Sequence, residues 1–318
     1  MRKKISIVIP CKNEQGNIIP LCTEIQNSLQ TDFQDFDYEI IIVDDGSDDN
    51  TWNEIKECKI IDSKIYGIRM NTSQGQAVAM YMGFQKSSGD IVYSMDGDGQ
   101  NDPADMKMLY DMMIEQDLDL VTGWRRKRKD PTWMLVITNV AKLLRKMLIN
   151  DGVKDSGCTF RVYKKQVVKN LHLWGEMHRF IIALSRINGY SIGEIQVNHR
   201  ARTVGKTKYN WQKSIKGFID LLYIWFIKKY ESRPLHLFGG IGLLNFFIGF
   251  IFLNYSFYQK IFFNVSLNRS GWMMLGIFFA QIGIVLFIFG IMIDIMIRTY
   301  YNTSKESRYI VKDTTEQG

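Results

Sequence analysis

The chain has 318 residues, 46% of them hydrophobic, and carries 40 Lys and Arg residues against 33 Asp and Glu residues. This apolar fraction excludes an intrinsically disordered chain, and the length predicts about two domains at roughly 150 residues each. The four cysteines follow no zinc-site or disulfide-framework spacing, which favours a reduced, cytosolic setting.

Short apolar runs predict five buried strands in the first 122 residues. Helical patterns lie between them. The runs cover residues 5–9, 39–43, a region near 66, 90–95 and 118–122, and the helical stretches lie near 15–30, 50–58, 75–87 and 103–116. This alternation predicts an α/β fold with a Rossmann-like, mainly parallel sheet. Because ligands of such sheets bind at the carboxyl ends of the strands, candidate site residues are expected there.

Polar residues follow the first two predicted strands. The first strand ends in a segment that contains Pro10, Asn13 and Glu14, and the second ends in the adjacent acids Asp44 and Asp45. Neighbouring carboxylates at a sheet edge repel each other unless they hold a donor group, such as a nucleobase or a ribose hydroxyl. The absence of a GxGxxG motif after the first strand argues against a dinucleotide-dependent oxidoreductase.

The fourth strand runs into the sequence DGDGQNDP. In extended geometry, Asp96 and Asp98 would point to the same side, with Gln100 nearby. Such hard oxygen ligands suit Mg²⁺ or Mn²⁺, which commonly also binds substrate phosphates. A calcium loop is the alternative interpretation, although the later bidentate Glu of an EF-hand is missing at the required spacing.

Two basic segments follow. Arg125 and Arg128 belong to a cluster of five cations that comes directly after the fifth strand, and Arg202 and Lys206 belong to a second set at 199–209. Such runs are usually solvated surfaces, but the position of the first cluster at the sheet edge favours binding of an anion. Nucleic acid is a further alternative, and the apolar segments described next argue against it.

The carboxyl-terminal third is predicted to be membrane-bound. Residues 235–258 and 271–293 contain no charged side chain and are each long enough to cross the ~30 Å hydrocarbon core. A helix at 209–234 carries an apolar stripe, which includes Ile219 and Leu222 and would face either a protein core or the membrane interface. The predicted organisation is a catalytic domain at 1–208, a juxtamembrane helix at 209–234, a two-helix transmembrane domain at 235–300 and a tail at 301–318.

The distribution of Lys and Arg predicts the orientation. No signal peptide is recognised, and basic residues are more numerous outside the two spans than in the loop between them. We therefore expect a multi-pass protein of the inner or plasma membrane, with the catalytic domain and both termini in the cytoplasm. Small residues of the spans, Gly239, Gly240, Gly242 and Gly276, would permit homo-oligomers.

The segments IVIPCKNE, EIIIVDDGSDDNT, DGDGQNDP, VTGWRRKRKD and KDSGCTFRVY occur in this order. Together they resemble family 2 glycosyltransferases of the GT-A fold, and the two terminal spans resemble the polyprenyl-phosphate group within that family. This group includes dolichol-phosphate mannose synthases and bactoprenol glucosyltransferases. Many of its members have Ala and Leu where this chain has Gly97 and Gly99.

The resemblance implies roles for Pro10, Gln100 and the acidic site residues, and we add the neighbouring Asn13 and, from their charge and position, the four basic residues. It implies that the nucleotide-sugar is held by Pro10, Asn13, Glu14, Asp44, Asp45 and Asp96, and a Mg²⁺ or Mn²⁺ ion by Asp96, Asp98 and Gln100. The expected catalytic residues are Asp98, Asp155, Arg125 and Arg128, and the expected lipid-phosphate ligands are Arg125, Arg128, Arg202 and Lys206. Asp155 would contact the sugar or assist the acceptor, although a turn cap is an alternative.

The expected reaction is the inverting transfer of one hexose from a nucleotide-sugar to polyprenyl phosphate on the cytoplasmic leaflet. A UDP-sugar such as UDP-glucose is the favoured donor and GDP-mannose the alternative. A processive polysaccharide synthase would normally carry a QxxRW box and more spans, and neither is found. A membrane scaffold that binds a nucleotide-sugar without catalysis is the remaining alternative.

Overall fold

The computed structural model describes residues 2–125, 145–149, 152–201, 212–267 and 270–303. The chain divides into two compact units, Met1–Ile224 and Trp225–Gly318. The division falls within one continuous helix, between the predicted domain boundaries at 208 and 234.

The first unit alternates strands and helices. Its strands are β1 (Lys4–Cys11), β2 (Asp37–Asp44), β3 (Ile65–Arg69), β4 (Ile91–Ser94), β5 (Leu120–Trp124), β6 (Arg161–Lys164) and β7 (Ile192–Gln196). Its helices are α1 (Ile18–Asp32), α2 (Thr51–Ile61), α3 (Gln76–Lys86), α4 (Met106–Glu115), α5 (Lys165–Lys169) and α6 (Ile181–Ile187), followed by α7 (Gln212–Tyr230) across the boundary. Short 3₁₀ turns cover Pro103–Asp105 and Met177–Phe180.

The described strands form one seven-stranded sheet in the order β3-β2-β1-β4-β6-β5-β7. β6 pairs antiparallel with both β4 and β5, and every other pairing is parallel. The strand order reverses between β1 and β4, because β2 and β3 extend the sheet in one direction and later strands in the other. A ligand-binding crevice is expected at the carboxyl ends of these two strands. The predicted α/β fold is confirmed.

Alternating side chains bury two hydrophobic clusters, one on each face of the sheet. Ile7 and Ile40 belong to the cluster beneath α1, α2 and α4, whereas Val8 and Ile41 belong to the one beneath α3, α5 and α6. All four side chains are fully buried. Each contributes about 1.5–3 kcal/mol to the free energy of unfolding. This two-sided burial explains why the strands are nearly continuous apolar runs.

The second unit contains the antiparallel hairpin of α8 (Pro234–Phe263) and α9 (Gly271–Thr303). Both helices are long and apolar enough to cross a membrane, and only 17% of each most apolar window is buried. Large side chains such as Phe247, Phe250 and Val285 are more than half exposed. This surface is unlike the core of a soluble domain and suits contact with lipid.

Glycines allow the two helices to pack backbone to backbone. A methyl group added at Gly249 would lie 2.5 Å from the Ala280 backbone nitrogen, and one at Gly242 would lie 2.7 Å from the Gly283 carbonyl oxygen. Gly276 faces Leu253 in the same interface. Gly242 and Gly276 were expected to permit homo-oligomers. They instead pack against the other helix of the same hairpin, and they give no support to self-association.

Two faces of α7 have different environments. Leu221 and Ile224 are buried in the core cluster of the first unit, whereas Ile219, Leu222 and Tyr223 are 59%, 41% and 42% exposed. The predicted apolar stripe included Ile219 and Leu222. These two residues lie on the exposed face of the helix. The residues that pack in the core, Leu221 and Ile224, lie on a neighbouring face.

Candidate active site

A cavity of about 320 Å³ opens at the carboxyl ends of β1 and β4, where the strand order reverses. Its walls come from the segments that follow β1, β2 and β4 and from the start of α3. The lining residues are Pro10, Cys11, Lys12, Glu14, Asp45, Gln76, Ala79, Asp96, Gly97 and Asp98. Five predicted site residues, Pro10, Glu14, Asp45, Asp96 and Asp98, are thus brought together.

Asp96 is held on both carboxylate oxygens. The Gln76 side-chain amide donates to Oδ1 at 2.7 Å, and the Thr159 hydroxyl donates to Oδ2. Burial and the neighbouring charge of Asp98 raise the pKa of Asp96 to about 6, against the lowering effects of Thr159, Arg125 and Arg161. A cation at this position would offset the repulsion between the two carboxylates.

Asp98 lies in a turn and not on the extended strand that the sequence predicted. β4 ends at Ser94, and Gly99 has a φ of +71°, which L-residues rarely adopt. A side chain at Gly97 would meet Cys11 of β1 at 2.9 Å. The turn and this close approach explain both glycines of the motif, and they still leave Asp96 and Asp98 in one cavity.

Gln100 is turned towards another segment. Its backbone N–H donates to Asp98 Oδ1 at 3.1 Å, and its side-chain amide donates to the Arg200 carbonyl at 3.2 Å. It is not among the residues that line the cavity. In this conformation Gln100 fixes the loop around Asp98.

The paired acids after β2 have different environments. Asp45 lines the cavity and accepts hydrogen bonds from the Ser73 hydroxyl and from the Gln74 and Gly75 backbone at 2.7–3.1 Å. Asp44 is completely buried and lies 3.3 Å from the Arg69 guanidinium. Asp45 can face a ligand, whereas Asp44 supports the loop from inside the protein.

The segment after β1 is tied to the segment after β2. Asn13 has a φ of +56°, accepts from the Asp48 N–H at 2.9 Å, and donates its own N–H to the Ser47 hydroxyl at 2.9 Å. Glu14 is buried and accepts from the Asn17 side chain at 2.8 Å. Of these residues Glu14 lines the cavity, and Asn13 links the two loops.

The cavity supplies part of a binding site for a divalent cation. Within the described ranges, no cluster of three or more His, Cys, Asp or Glu side chains could hold a metal ion. Asp96 and Asp98 supply two carboxylates in one cavity. Mg²⁺ is commonly bound by one or two carboxylates together with substrate phosphates and water. The pair therefore suits a cation that arrives with a diphosphate.

Arg125 and Asp155 form an ion pair at the end of β5. Arg125 Nε lies 2.8 Å from Oδ2 of Asp155, one Nη lies 3.1 Å from Oδ1, and both side chains are less than 15% exposed. This bidentate geometry is the strong form of an Arg–carboxylate pair. Asp155 thus holds Arg125, and neither residue lines the cavity. Arg128, Arg202 and Lys206 lie outside the residues that the structure describes.

The sequence model for glycosyl transferase family 2 matches residues 6–171. The chain belongs to this family. It is 30% identical over 315 residues to a dodecaprenyl-phosphate galacturonate synthase from Rhizobium johnstonii, with 97% of this chain and 92% of that protein covered. It is also 27% identical over 314 residues to an undecaprenyl-phosphate 4-deoxy-4-formamido-L-arabinose transferase from Aeromonas hydrophila, with 97% and 93% covered.

Solved structures share the fold of this glycosyltransferase. Glucosyl-3-phosphoglycerate synthase from Mycobacterium tuberculosis, in complex with Mn²⁺, UDP and its product, aligns with a TM-score of 0.54 and 17% identity over 71% of this chain and 80% of that one. Mannosyl-3-phosphoglycerate synthase from Rubrobacter xylanophilus aligns with a TM-score of 0.58 and 14% identity over 71% and 75%. The expected GT-A fold and the enzyme class are confirmed.

Three residues at or beside the cavity were not predicted to have a role. Gln76 and Thr159 hold the Asp96 carboxylate, and Lys12 brings a positive charge to the cavity. Lys12 and Thr159 lie in segments that carry the family resemblance, and that position was the signal available for these two, whereas Gln76 lies outside those segments. Their contacts join residues up to 63 positions apart, so sequence spacing could not reveal them.

Proposed function

We propose that this glycosyltransferase moves one sugar from a nucleotide-sugar to a polyprenyl phosphate at the cytoplasmic leaflet, with inversion at the sugar carbon. A UDP-sugar is the favoured donor. The observation that carries the proposal is the cavity shared by Asp45, Asp96 and Asp98 in a chain that also has two apolar helices. The names of the two curated relatives support a polyprenyl-phosphate acceptor.

The cavity suits a nucleoside diphosphate. Asp45 and Glu14 provide carboxylate acceptors for hydroxyl or base N–H groups, and Lys12 provides a cation for phosphate oxygen. A divalent ion on Asp96 and Asp98 would neutralise the charge that develops on the leaving diphosphate. Gln76 and Thr159 keep the Asp96 carboxylate fixed, so little reorganisation is needed when substrate binds.

The acceptor side is assigned to Arg125 and the basic residues Arg128, Arg202 and Lys206. An acceptor phosphate is already an anion, so the reaction requires cations that position it and no strong general base. The exposed apolar residues Ile219 and Leu222 of α7 would rest on the membrane interface, close in sequence to the first span. The lipid headgroup would then lie beside the first unit, which is the catalytic unit in this proposal.

The sugar that is transferred can be identified by testing a panel of nucleotide-sugar donors. The relatives are named for galacturonate and for 4-deoxy-4-formamido-L-arabinose, so the donor panel should extend beyond UDP-glucose and GDP-mannose to acidic and amino-substituted sugars. Purified full-length protein would be incubated with radiolabelled donors, undecaprenyl phosphate and Mg²⁺ or Mn²⁺. Labelled lipid from at least one donor is expected. No labelled lipid from any donor would reject the proposed transfer.

Loss of the Asp98 carboxylate tests the cation site. We expect Asp98→Asn, or chelation by EDTA, to lower transfer at least a hundredfold while thermal unfolding stays unchanged, because the leaving diphosphate loses its neutralising charge. Asp37→Asn is the matched control, since Asp37 is half exposed at the opposite end of the strands. Full activity of Asp98→Asn in EDTA would reject the metal role.

A further inference from the structure

Glu194 of β7 holds the loop that carries Asp155. Its carboxylate accepts from the Lys154 backbone N–H at 2.8 and 3.0 Å and from the Asp155 N–H at 2.8 Å. A charged acceptor shared by two successive amides fixes the local backbone more firmly than a neutral one. The direction of the Asp155 side chain therefore depends on a residue 39 positions later in the chain.

Asp155 in turn fixes Arg125. Its two oxygens accept from Nε and one Nη, and Oδ2 lies 3.3 Å from the Arg125 backbone N–H. Within the described part of the chain, Asp155 is the sole carboxylate paired with Arg125, and the second Nη makes no hydrogen bond there. Asp155 therefore binds one edge of the guanidinium, and the N–H donors of the second Nη lie on the other edge.

Two cations, Arg145 and Arg161, also contact this loop. Arg145 donates to the Val153 carbonyl at 3.0 Å and to the Ser156 hydroxyl, and Arg161 donates to the Ser156 carbonyl at 2.8 Å. These contacts fix the loop on its other side and add positive charge beside Arg125. A loop surrounded by guanidinium groups favours an anion and would repel a cation.

We propose that Glu194 is a positioning residue for the acceptor phosphate. It orients Asp155, and Asp155 orients Arg125 so that the free edge of the guanidinium meets the phosphate of the acceptor. This inference rests on the proposed function, because the acceptor is the anion assigned to Arg125. Glu194 does not line the cavity that holds Asp96, so its loss should affect the acceptor and spare the donor.

Asp119 provides a matched control. It precedes β5 and accepts from the Ser191 backbone N–H at 2.9 Å and from the Ser191 hydroxyl at 2.8 Å, directly before β7 begins. Asp119→Asn and Glu194→Gln therefore remove the same kind of charged acceptor from the same pair of strands. A role confined to stability would make the two variants behave alike.

The experiment compares Glu194→Gln, Asp155→Asn, their double variant and Asp119→Asn as full-length proteins. Transfer gives the KM for undecaprenyl phosphate and for the active donor, and equilibrium binding of radiolabelled undecaprenyl phosphate in detergent gives a Kd that needs no donor. We expect Glu194→Gln to raise the acceptor KM and Kd about tenfold with the donor KM unchanged. Asp119→Asn should leave both acceptor values at the wild-type level.

The double variant tests whether Glu194 acts on acceptor binding through Asp155. If Glu194 acts through Asp155, the double variant will bind the acceptor no more weakly than Asp155→Asn alone. Additive losses, an unchanged acceptor Kd in Glu194→Gln, or wild-type protein that does not bind undecaprenyl phosphate would overturn the inference. Acceptor binding that follows the expected pattern without transfer from any donor would reject the proposed function and leave the positioning role supported.

Discussion

Carboxylates of this protein are used in two ways, and their hydrogen bonds distinguish them. Asp96 and Asp98 lie next to each other in an open cavity, where their mutual repulsion favours a cation. Glu39 lies at the amino-terminal end of the sheet, where other protein groups neutralise its carboxylate and donate hydrogen bonds to it. Its carboxylate lies 2.7 Å from both the Lys4 ammonium and the Ser88 backbone N–H, and it also accepts from the Ser6 hydroxyl.

The Glu39 cluster predicts a pH-dependent stability. Burial alone would raise the pKa of Glu39, but the donors from Lys4, Ser6 and Ser88 lower it below its ordinary value. A lowered folded-state pKa contributes stability above the unfolded value of about 4.3, and this stability is lost as pH falls through the folded value. We expect Glu39→Gln to cost about 1–3 kcal/mol of unfolding free energy at pH 7. The difference from wild type should shrink below about pH 4.3.

Thermal unfolding in detergent at pH 7, 5 and 3 would measure this difference in stability. Glu57→Gln is the control, because Glu57 is exposed on α2 and should leave the unfolding midpoint within about 1 °C at each pH. A deficit in Glu39→Gln that stays constant from pH 7 to pH 3 would show that the carboxylate charge is not the cause.

At the scale of elements, the hydrophobic pattern of the sequence was sufficient to predict strands β1 to β5 but not strands β6 and β7. β6 contains Arg161 and Lys164, and β7 is a partly exposed edge strand, so neither reads as an apolar run. The acids at the strand ends could be predicted because parallel strands end at one edge. The Arg125–Asp155 pair and its Glu194 support could not, because they depend on β5, β6 and β7 being neighbours.

The α8–α9 hairpin makes a prediction about packing. A methyl group at Gly249 would lie 2.5 Å from Ala280 N and 2.7 Å from the Gly276 carbonyl, both backbone atoms that cannot rotate away. We expect Gly249→Ala to destabilise the hairpin by about 1–3 kcal/mol. Gly240→Ala on the same helix is the control, since nothing lies within 4 Å of the added methyl group. Equal thermal stability of the two variants in detergent would contradict close helix contact at Gly249.

For the whole molecule, charge and hydrophobicity are separated along the chain. α8 has 30 residues and α9 has 33, about 45–50 Å at ~1.5 Å per residue, which exceeds the ~30 Å hydrocarbon core. In a helix that crosses the membrane, the ends would therefore reach the headgroup regions. The segment before the first span contains Lys228, Lys229 and Arg233. The end of the second span and the sequence after it contain Arg298, Lys305, Arg308 and Lys312. Between these two groups, the sequence has only Lys260 and Arg269 as basic Lys or Arg residues. This asymmetry favours cytoplasmic termini.

Single cysteines can test this orientation directly. All four native cysteines are buried in the catalytic unit, so they should give little background with a membrane-impermeant maleimide. We expect Ser266→Cys, in the exposed loop between the spans, to be labelled in intact cells, because the loop would lie outside. Thr303→Cys, at the exposed end of α9, should be labelled only after permeabilisation. Labelling of Thr303→Cys in intact cells with Ser266→Cys protected would place the catalytic unit outside the cytoplasm, away from the nucleotide-sugar pool on which the proposed transfer depends.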